Sequence, residues 1–312
     1  MPKKILIIKH GALGDFVLAL GMMKRLANLH KKDDVYCLTM SPFVEIARQT
    51  GLFKDVLVDN RPNYQLKEWY HVLKKILIDG QWDIIYDLQQ SHRTRKKYLP
   101  FLRLMSRKDF CWVFPYKQQQ LDMHKKRALS WGTVVEKPWK RASYVFPDLS
   151  FCRGNPNVLA QLPARFILMV PGCSAGHPYK RWPEKYFIEI AQKAGALGVE
   201  SVVLGTKAET DIVNTICQGT PFARSLLGKT KLADIPAVAR RALVVVGNDT
   251  GPQHMASFVH TPAVSLFCKR TERSAIKRDN ITNLIAQNIE DITPDQVWRI
   301  IEPLFKKDPH EA

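Results

Sequence analysis

The stretch IIKHGALGDFVLAL, residues 7–20, decides how the chain begins to fold. An apolar run ends in a turn bounded by Gly11 and Gly14, Asp15 comes directly after the second glycine, and an apolar helix-like segment starts there. This is the layout of a strand–turn–helix unit, and in open α/β sheets the turn at the carboxyl end of such a strand borders the ligand crevice. The turn is neither G-x-G-x-x-G nor a P-loop, so a dinucleotide site and an NTP hydrolase both lose their main support. Asp15 has two readings at this stage. It is either a carboxylate facing the crevice or a helix N-cap, for which Asp is among the preferred residues.

The same alternation runs to the far end of the chain. Short apolar runs (KILIIK, VYCLTM, VLVD and DIIYDL, then RFILMVPG, ESVVLG, ALVVVGND and AVSLFC) are separated by helix-like stretches at 16–29, 41–50, 64–79, 184–197 and 208–218. Strands that are apolar throughout suit a parallel sheet covered by helices on both faces. The expected class is α/β with two Rossmann-like domains, since 312 residues suit two domains of about 150 each. Residues 117–163 are rich in Lys, Pro, Asn and Gln, with no long periodic element apart from 121–131. That places the linker near 145–160 and the expected domains at 1–155 and 156–312, with a cleft between them. TPDQVWRIIEPLFKK predicts a closing helix over about 293–308, with an apolar stripe able to pack back on the first domain.

Composition narrows the function. With 46% hydrophobic and 24% charged residues the chain is neither disordered nor fibrous. Its six cysteines, at 37, 111, 152, 173, 217 and 268, form no C-x-x-C pair and no zinc-like spacing with histidine. They read as free thiols of a reducing compartment, the cytoplasm. ILII near the start is too short for a signal peptide or a membrane span, and Asp15 interrupts the apolar character beyond it. The net charge of +18 is uneven: residues 1–150 hold 27 Lys/Arg against 14 Asp/Glu, the remainder 20 against 15. SHRTRKKYLPFLRLMSRK, residues 91–108, carries eight basic side chains with His92 included. It is either a solvated face or a surface for an anionic partner. It contains no recognisable RNA or DNA motif, which counts against nucleic acid.

Two stretches in the second half share one layout. In ALVVVGNDTGPQHMASFVHTPAVSLF, residues 242–267, a strand ends in Asn248-Asp249-Thr250-Gly251 and Pro252 opens a short helix. Amides at that helix start, with Thr250 and Gly251, form an anion site that a diphosphate fits. His254 can donate to a phosphate or satisfy a carbonyl. In VPGCSAGHPYKRWPEKYF, residues 170–187, Lys180 and Arg181 lie in the turn before a helix. The two loops can grip one diphosphate from two sides, or the two cations are simply solvated.

In order and spacing, IIKHGALGD, PGCS…KRWP and NDTGPQHMASF…TPAVSLF resemble the bacterial ADP-heptose:lipopolysaccharide heptosyltransferases, glycosyltransferase family 9, over nearly the whole chain. The resemblance implies a GT-B fold, two Rossmann-like domains whose parallel sheets face across a cleft, with acceptor on the first and nucleotide-sugar donor on the second. It implies inverting transfer of heptose from ADP-heptose to a lipopolysaccharide inner-core acceptor, with Asp15 as general base and Lys180 at the donor phosphates. Ser174, Arg181, Glu209, Asp249, Thr250, Gly251 and His254 are then donor residues, Glu209 as an acidic ribose contact. YDLQQSHRTRKKY resembles the family's D-x-Q acceptor segment and assigns Asp87, Gln89 and Arg93 to the acceptor side, with His10 and Gly14 flanking the base. His10-Gly11-Ala12-Leu13-Gly14-Asp15 departs from the S-S-L-G-D of many members.

No D-x-D element stands where a divalent-ion site would lie, so neither a metal nor a cofactor is expected. The expected partners are the nucleotide sugar, an anionic glycolipid and the cytoplasmic face of the inner membrane, met peripherally by a monomer. The alternatives are a GT-B enzyme with another donor, a nucleotide-sugar epimerase, a silent sugar-nucleotide sensor and a basic nucleic-acid-binding protein.

Overall fold

The apolar runs form the strands of two sheets in a computed structural model that describes residues 1–60, 70–106, 108–114, 119–122, 127–130, 146–174 and 176–306. The first unit, Met1–Pro147, begins β1 (Lys4–Ile8), α1 (Leu13–Leu29), β2 (Asp34–Thr39), α2 (Ser41–Gln49) and β3 (Asp55–Val58). It continues with the π-helical α3 (His71–Ile78), β4 (Ile84–Asp87), a π-helical turn (Thr94–Tyr98) running into α4 (Leu99–Met105), then β5 (Cys111–Phe114), β6 (Gln119–Asp122) and β7 (Arg127–Ser130). The strand order is β3-β2-β1-β4-β5-β6-β7. Pairing is parallel through β5, and β6 and β7 are antiparallel. Ile5 to Ile8 are wholly buried, so β1 must be apolar on both faces. The helix expected over 64–79 is seen over 71–78, and residues 64–69 lie outside the described residues. The 121–131 element falls partly on β6 and β7 and partly outside them.

The second unit, Asp148–Ala312, contains α5 (Pro156–Leu159), β8 (Phe166–Val170), α6 (Glu184–Gly195), β9 (Glu200–Val203), α7 (Thr210–Gln218) and β10 (Ala223–Ser225). Next come α8 (Ile235–Arg241), β11 (Val244–Asn248), α9 (Gly251–Ser257), β12 (Ala263–Cys268), β13 (Ile281–Ala286) and α10 (Pro294–Ile301). The order β10-β9-β8-β11-β12-β13 is parallel throughout.

The boundary falls between 147 and 148, ahead of the expected 155, because the intervening residues are already tied to the second unit. Arg240 donates to the carbonyls of Leu149 and Cys152, and the Asn155 amide donates to Asp234 Oδ1 at 2.8 Å. The terminal helix, expected to be able to reach the first domain, places Val297, Ile301 and Phe305 in the second unit's core beside Ile190 and Ala194 of α6.

Counted within each unit, both sheets begin with the strand order 3-2-1-4. The direction in which successive strands are added therefore reverses between β1 and β4 in one and between β8 and β11 in the other. Connections leave such a pair in opposite directions and open a crevice at the carboxyl ends of its strands, where ligands of α/β sheets bind. The expected site residues are clustered at these two places.

Candidate active site

In the first unit the HGALGD turn comes after β1, and Ala12, not Asp15, is the N-cap of α1. Asp15 is the third residue of the helix and is exposed, which removes the N-cap reading. Gly11 is required by close approach: a Cβ there would lie 2.7 Å from the Phe43 ring, which stacks on Phe16. Gln89, just past β4, pins the turn. Its Oε1 accepts from the His10 amide at 3.1 Å and its Nε2 donates to the Gly11 carbonyl at 3.3 Å. Asp87 is fully buried and its Oδ1 accepts from the Gln89 and Gln90 amides at 3.1 and 2.7 Å. Burial pushes its carboxyl up to about 6 despite those donors. Gly14 is half-buried in the first turn of the helix.

Three residues here carry contacts that sequence reasoning did not anticipate. Lys9, at the end of β1, is buried, which lowers its ammonium pKa, while the charges of Asp15 and Asp87 pull it back up. The buried His10 ring meets Asp59, Nε2 to Oδ2 at 3.0 Å. Asp59 also accepts from the Tyr98 hydroxyl and from Arg93 Nη2, the latter at 3.4 Å, and Arg93 Nε donates to the Tyr98 oxygen at 2.7 Å. Burial alone would raise the Asp59 carboxyl; contacts with His10, Tyr98 and Arg93 outweigh it and hold the carboxyl below its ordinary range. Of the five residues expected on the acceptor side, His10 and Asp87 are thus fully buried props of the turn, and Arg93 is largely engaged with Asp59.

In the second unit the loops after β8 and β11 are joined by side chains. Asn248 Nδ2 donates to the Pro171 carbonyl at 2.7 Å and its Oδ1 accepts from the Trp182 amide at 3.2 Å, which braces both ends of the loop that carries Lys180. Trp182 is wholly buried and donates to the Ile292 carbonyl, anchoring that loop in the core. Asp249 holds Lys180 Nζ at 2.7 Å with one oxygen and His254 Nε2 at 3.2 Å with the other. Burial raises the Asp249 carboxyl, and these two partners more than reverse it. His254 therefore pairs with a carboxylate, not with a carbonyl. Thr250 is the N-cap of α9, its hydroxyl accepting from the Gln253 amide, and Gly251 is the first helical residue.

A separate hollow at the ends of β8, β9 and β11 is lined by Gly172, Gly205, Thr206, Glu209, Lys231 and Thr250, among others. It brings Glu209 and Thr250 to one space. Glu209 Oε2 accepts from the Thr206 amide and hydroxyl, and a Cβ on Gly172 would lie 2.1 Å from Oε1, so a side chain there would displace the carboxylate from this position. Ser174 is exposed on the loop after β8. Arg181 is half-buried, with its Nε unpartnered among the described residues.

Residues 119–293, more than half of the chain, match the model of glycosyltransferase family 9 (heptosyltransferase). The chain is 22% identical to the lipopolysaccharide core heptosyltransferase OpsX of Haemophilus influenzae, across 91% of this chain and 84% of that protein. Its fold is similar to E. coli ADP-heptose lps heptosyltransferase II, with a TM-score of 0.71 at 16% identity over 97% of this chain and 98% of that one. It is similar also to E. coli heptosyltransferase WaaC with ADP-2-deoxy-2-fluoro heptose, with a TM-score of 0.70 at 16% identity over 96% and 99%. The two sheets are those of a GT-B enzyme. With an acidic turn at one switch point, a Lys–Asp–His cluster at the other and the family match spanning the latter, the chain belongs to glycosyltransferase family 9 and is a glycosyltransferase.

Proposed function

We propose that the protein transfers heptose from ADP-heptose to a lipopolysaccharide inner-core acceptor with inversion, Asp15 acting as the general base. The observation that carries this reading is Asp15 itself: exposed, in the first helical turn, on a loop braced by Gln89 at the switch point of its sheet. The names of the relatives and solved structures supply the heptose, the ADP and the lipopolysaccharide.

In this reading Glu209 meets the ribose in the hollow it lines, while the Gly251 amide and Lys180 meet the diphosphate. Lys180 is held for that role by Asp249, which also orients His254. Ser174 and Arg181 complete the donor side. The acceptor oxygen attacks the anomeric carbon on the face opposite the diphosphate. As the new glycosidic bond forms and the bond to ADP breaks, the hydroxyl proton passes to an Asp15 oxygen and ADP leaves with the bonding pair. A carboxylate of reference pKa about 3.9 is a weak base toward a free alcohol, but the hydroxyl becomes acidic as it bonds to an oxocarbenium-like carbon. Charge growing on the leaving ADP is met by fixed positive groups, Lys180 and the start of α9, in the place a metal would take.

The test is transfer of heptose to a purified inner-core acceptor, with the anomeric configuration read by NMR. Asp15→Asn keeps donor affinity and lowers turnover by roughly 10²- to 10⁴-fold, as loss of a general base does. Turnover near that of the unaltered protein would remove Asp15 from the chemistry. Activity in excess EDTA matches activity with magnesium; a loss restored by metal would overturn the charge assignment to Lys180.

The working place in this reading is the cytoplasmic face of the inner membrane, met peripherally by a monomer. Among the described residues no helix is long and apolar enough to cross a membrane. In this reading Arg95, Lys96 and Lys97, which lie on the helical turn after the D-x-Q-like segment, meet the anionic acceptor.

A further inference from the structure

We propose that the carboxyl end of α4 is an insertion point into an anionic phospholipid bilayer, with Leu104 and Met105 entering the lipid and the neighbouring cations facing its phosphates. The inference deepens the peripheral attachment proposed above and rests on it. Large exposed apolar residues on a soluble surface are ordinary when scattered singly. Here Leu104 and Met105 are 81% and 51% exposed, and they are the adjacent pair among the described residues of this kind. They close a helical run that also carries Tyr98, Leu99 and Leu102, which are buried in the first unit's core. The apolar tip is therefore presented outward by a rigidly packed element.

The charge around that tip selects the partner. Lys96, Pro100 and Arg103 are exposed at helical spacing along the run that ends in Met105. Arg103 and Lys108 line one hollow with Pro100, Leu102, Leu104 and Phe110, and Asp109 is the single carboxylate among its lining residues. Residues 91–108 contain no Asp or Glu at all. Lys108 is itself paired with Asp83 Oδ1 at 2.8 Å, so the cations that flank the tip are Lys96 and Arg103. Aliphatic and thioether side chains flanked by cations match a surface that is anionic outside and hydrocarbon within. A protein partner would be expected to find exposed aromatic anchors. In this patch the aromatic residues Phe101 and Phe110 are half-buried or buried.

The experiment is flotation of the full chain with vesicles of phosphatidylethanolamine and phosphatidylglycerol, compared with vesicles of phosphatidylcholine alone. The unaltered chain floats with the anionic vesicles and is released by salt. The double variant Leu104→Ser/Met105→Ser binds about tenfold more weakly or worse, because the apolar contribution is gone while the cations remain. Its transfer to a deacylated, water-soluble acceptor is unchanged, which shows that the fold is intact. Equal binding of the variant, equal binding to phosphatidylcholine, or a dimer in light scattering that the double variant dissolves would each overturn the proposal. The flotation arm uses neither donor nor acceptor. Failure of the heptosyl reading would leave it intact, and failure of flotation would leave the heptosyl reading intact.

Discussion

Asp87 shows how a buried side chain can shape a neighbouring turn. Its carboxyl receives two backbone amides and thereby shapes the segment from which Gln89 reaches the Asp15 turn. Its folded pKa of about 6 lies above the reference of 3.8, so the folded chain holds a proton there that the unfolded chain has released. The stability this contributes is complete below the unfolded value and is lost as pH rises to about 6, at up to about 1.4 kcal/mol per pH unit. Asp87→Asn mimics the protonated form. In urea unfolding it is more stable than the unaltered chain at pH 8, and the difference shrinks toward pH 4. A constant difference across that range would show that Asp87 does not titrate as described. Asp59 has the opposite balance, with His10, Tyr98 and Arg93 holding it charged, and it turns Arg93 toward the protein.

Among elements, the pair β8 and β11 matters most, because the loops leaving them carry Lys180, Asp249, Thr250 and Gly251, most of the residues proposed to hold the donor. Asn248 closes that pair through Pro171 and Trp182, and its burial leaves no water to replace lost bonds. Asn248→Ala therefore costs about 1–3 kcal/mol for each group left unsatisfied, part of it in the folded chain and part in donor binding. Titration calorimetry is expected to show ADP binding weakened at least about tenfold, equivalent to about 1.4 kcal/mol, with the Asp15 turn in the other unit untouched. An unchanged dissociation constant would mean that the loop holds its shape through Trp182 alone.

For the whole molecule the dominant property is charge, +18 overall and concentrated in the first 150 residues. A basic surface raises encounter with an anionic acceptor and makes that encounter sensitive to salt. Replacing Arg95, Lys96 and Lys97 together by Gln is expected to raise the acceptor KM and flatten its salt dependence, each residue contributing about 1 kcal/mol near an anionic surface. Donor affinity stays constant. If acceptor kinetics and salt response were both unaltered, the cluster would be a solvated face and acceptor recognition would lie elsewhere.

The sequence by itself determined the two α/β units, eight of the strands and the positions of the Asp15 turn, the K-R-W-P loop and the N-D-T-G loop. These depend on local chemistry: apolar runs bounded by Gly, Pro and Asp, and helices that start where capping residues stand. Only the tertiary structure revealed the four-residue β5, the antiparallel β6 and β7, the three-residue β10 and the half-exposed edge strand β13, whose patterns carry little signal without their neighbours. It also decided which groups pair. The separations of 49 residues from His10 to Asp59, and of 69 from Lys180 to Asp249, hold no pattern linking them, because each pair meets where sheet order brings separate strand ends together. Local sequence sets where a strand stops; sheet order sets what stands beside its end.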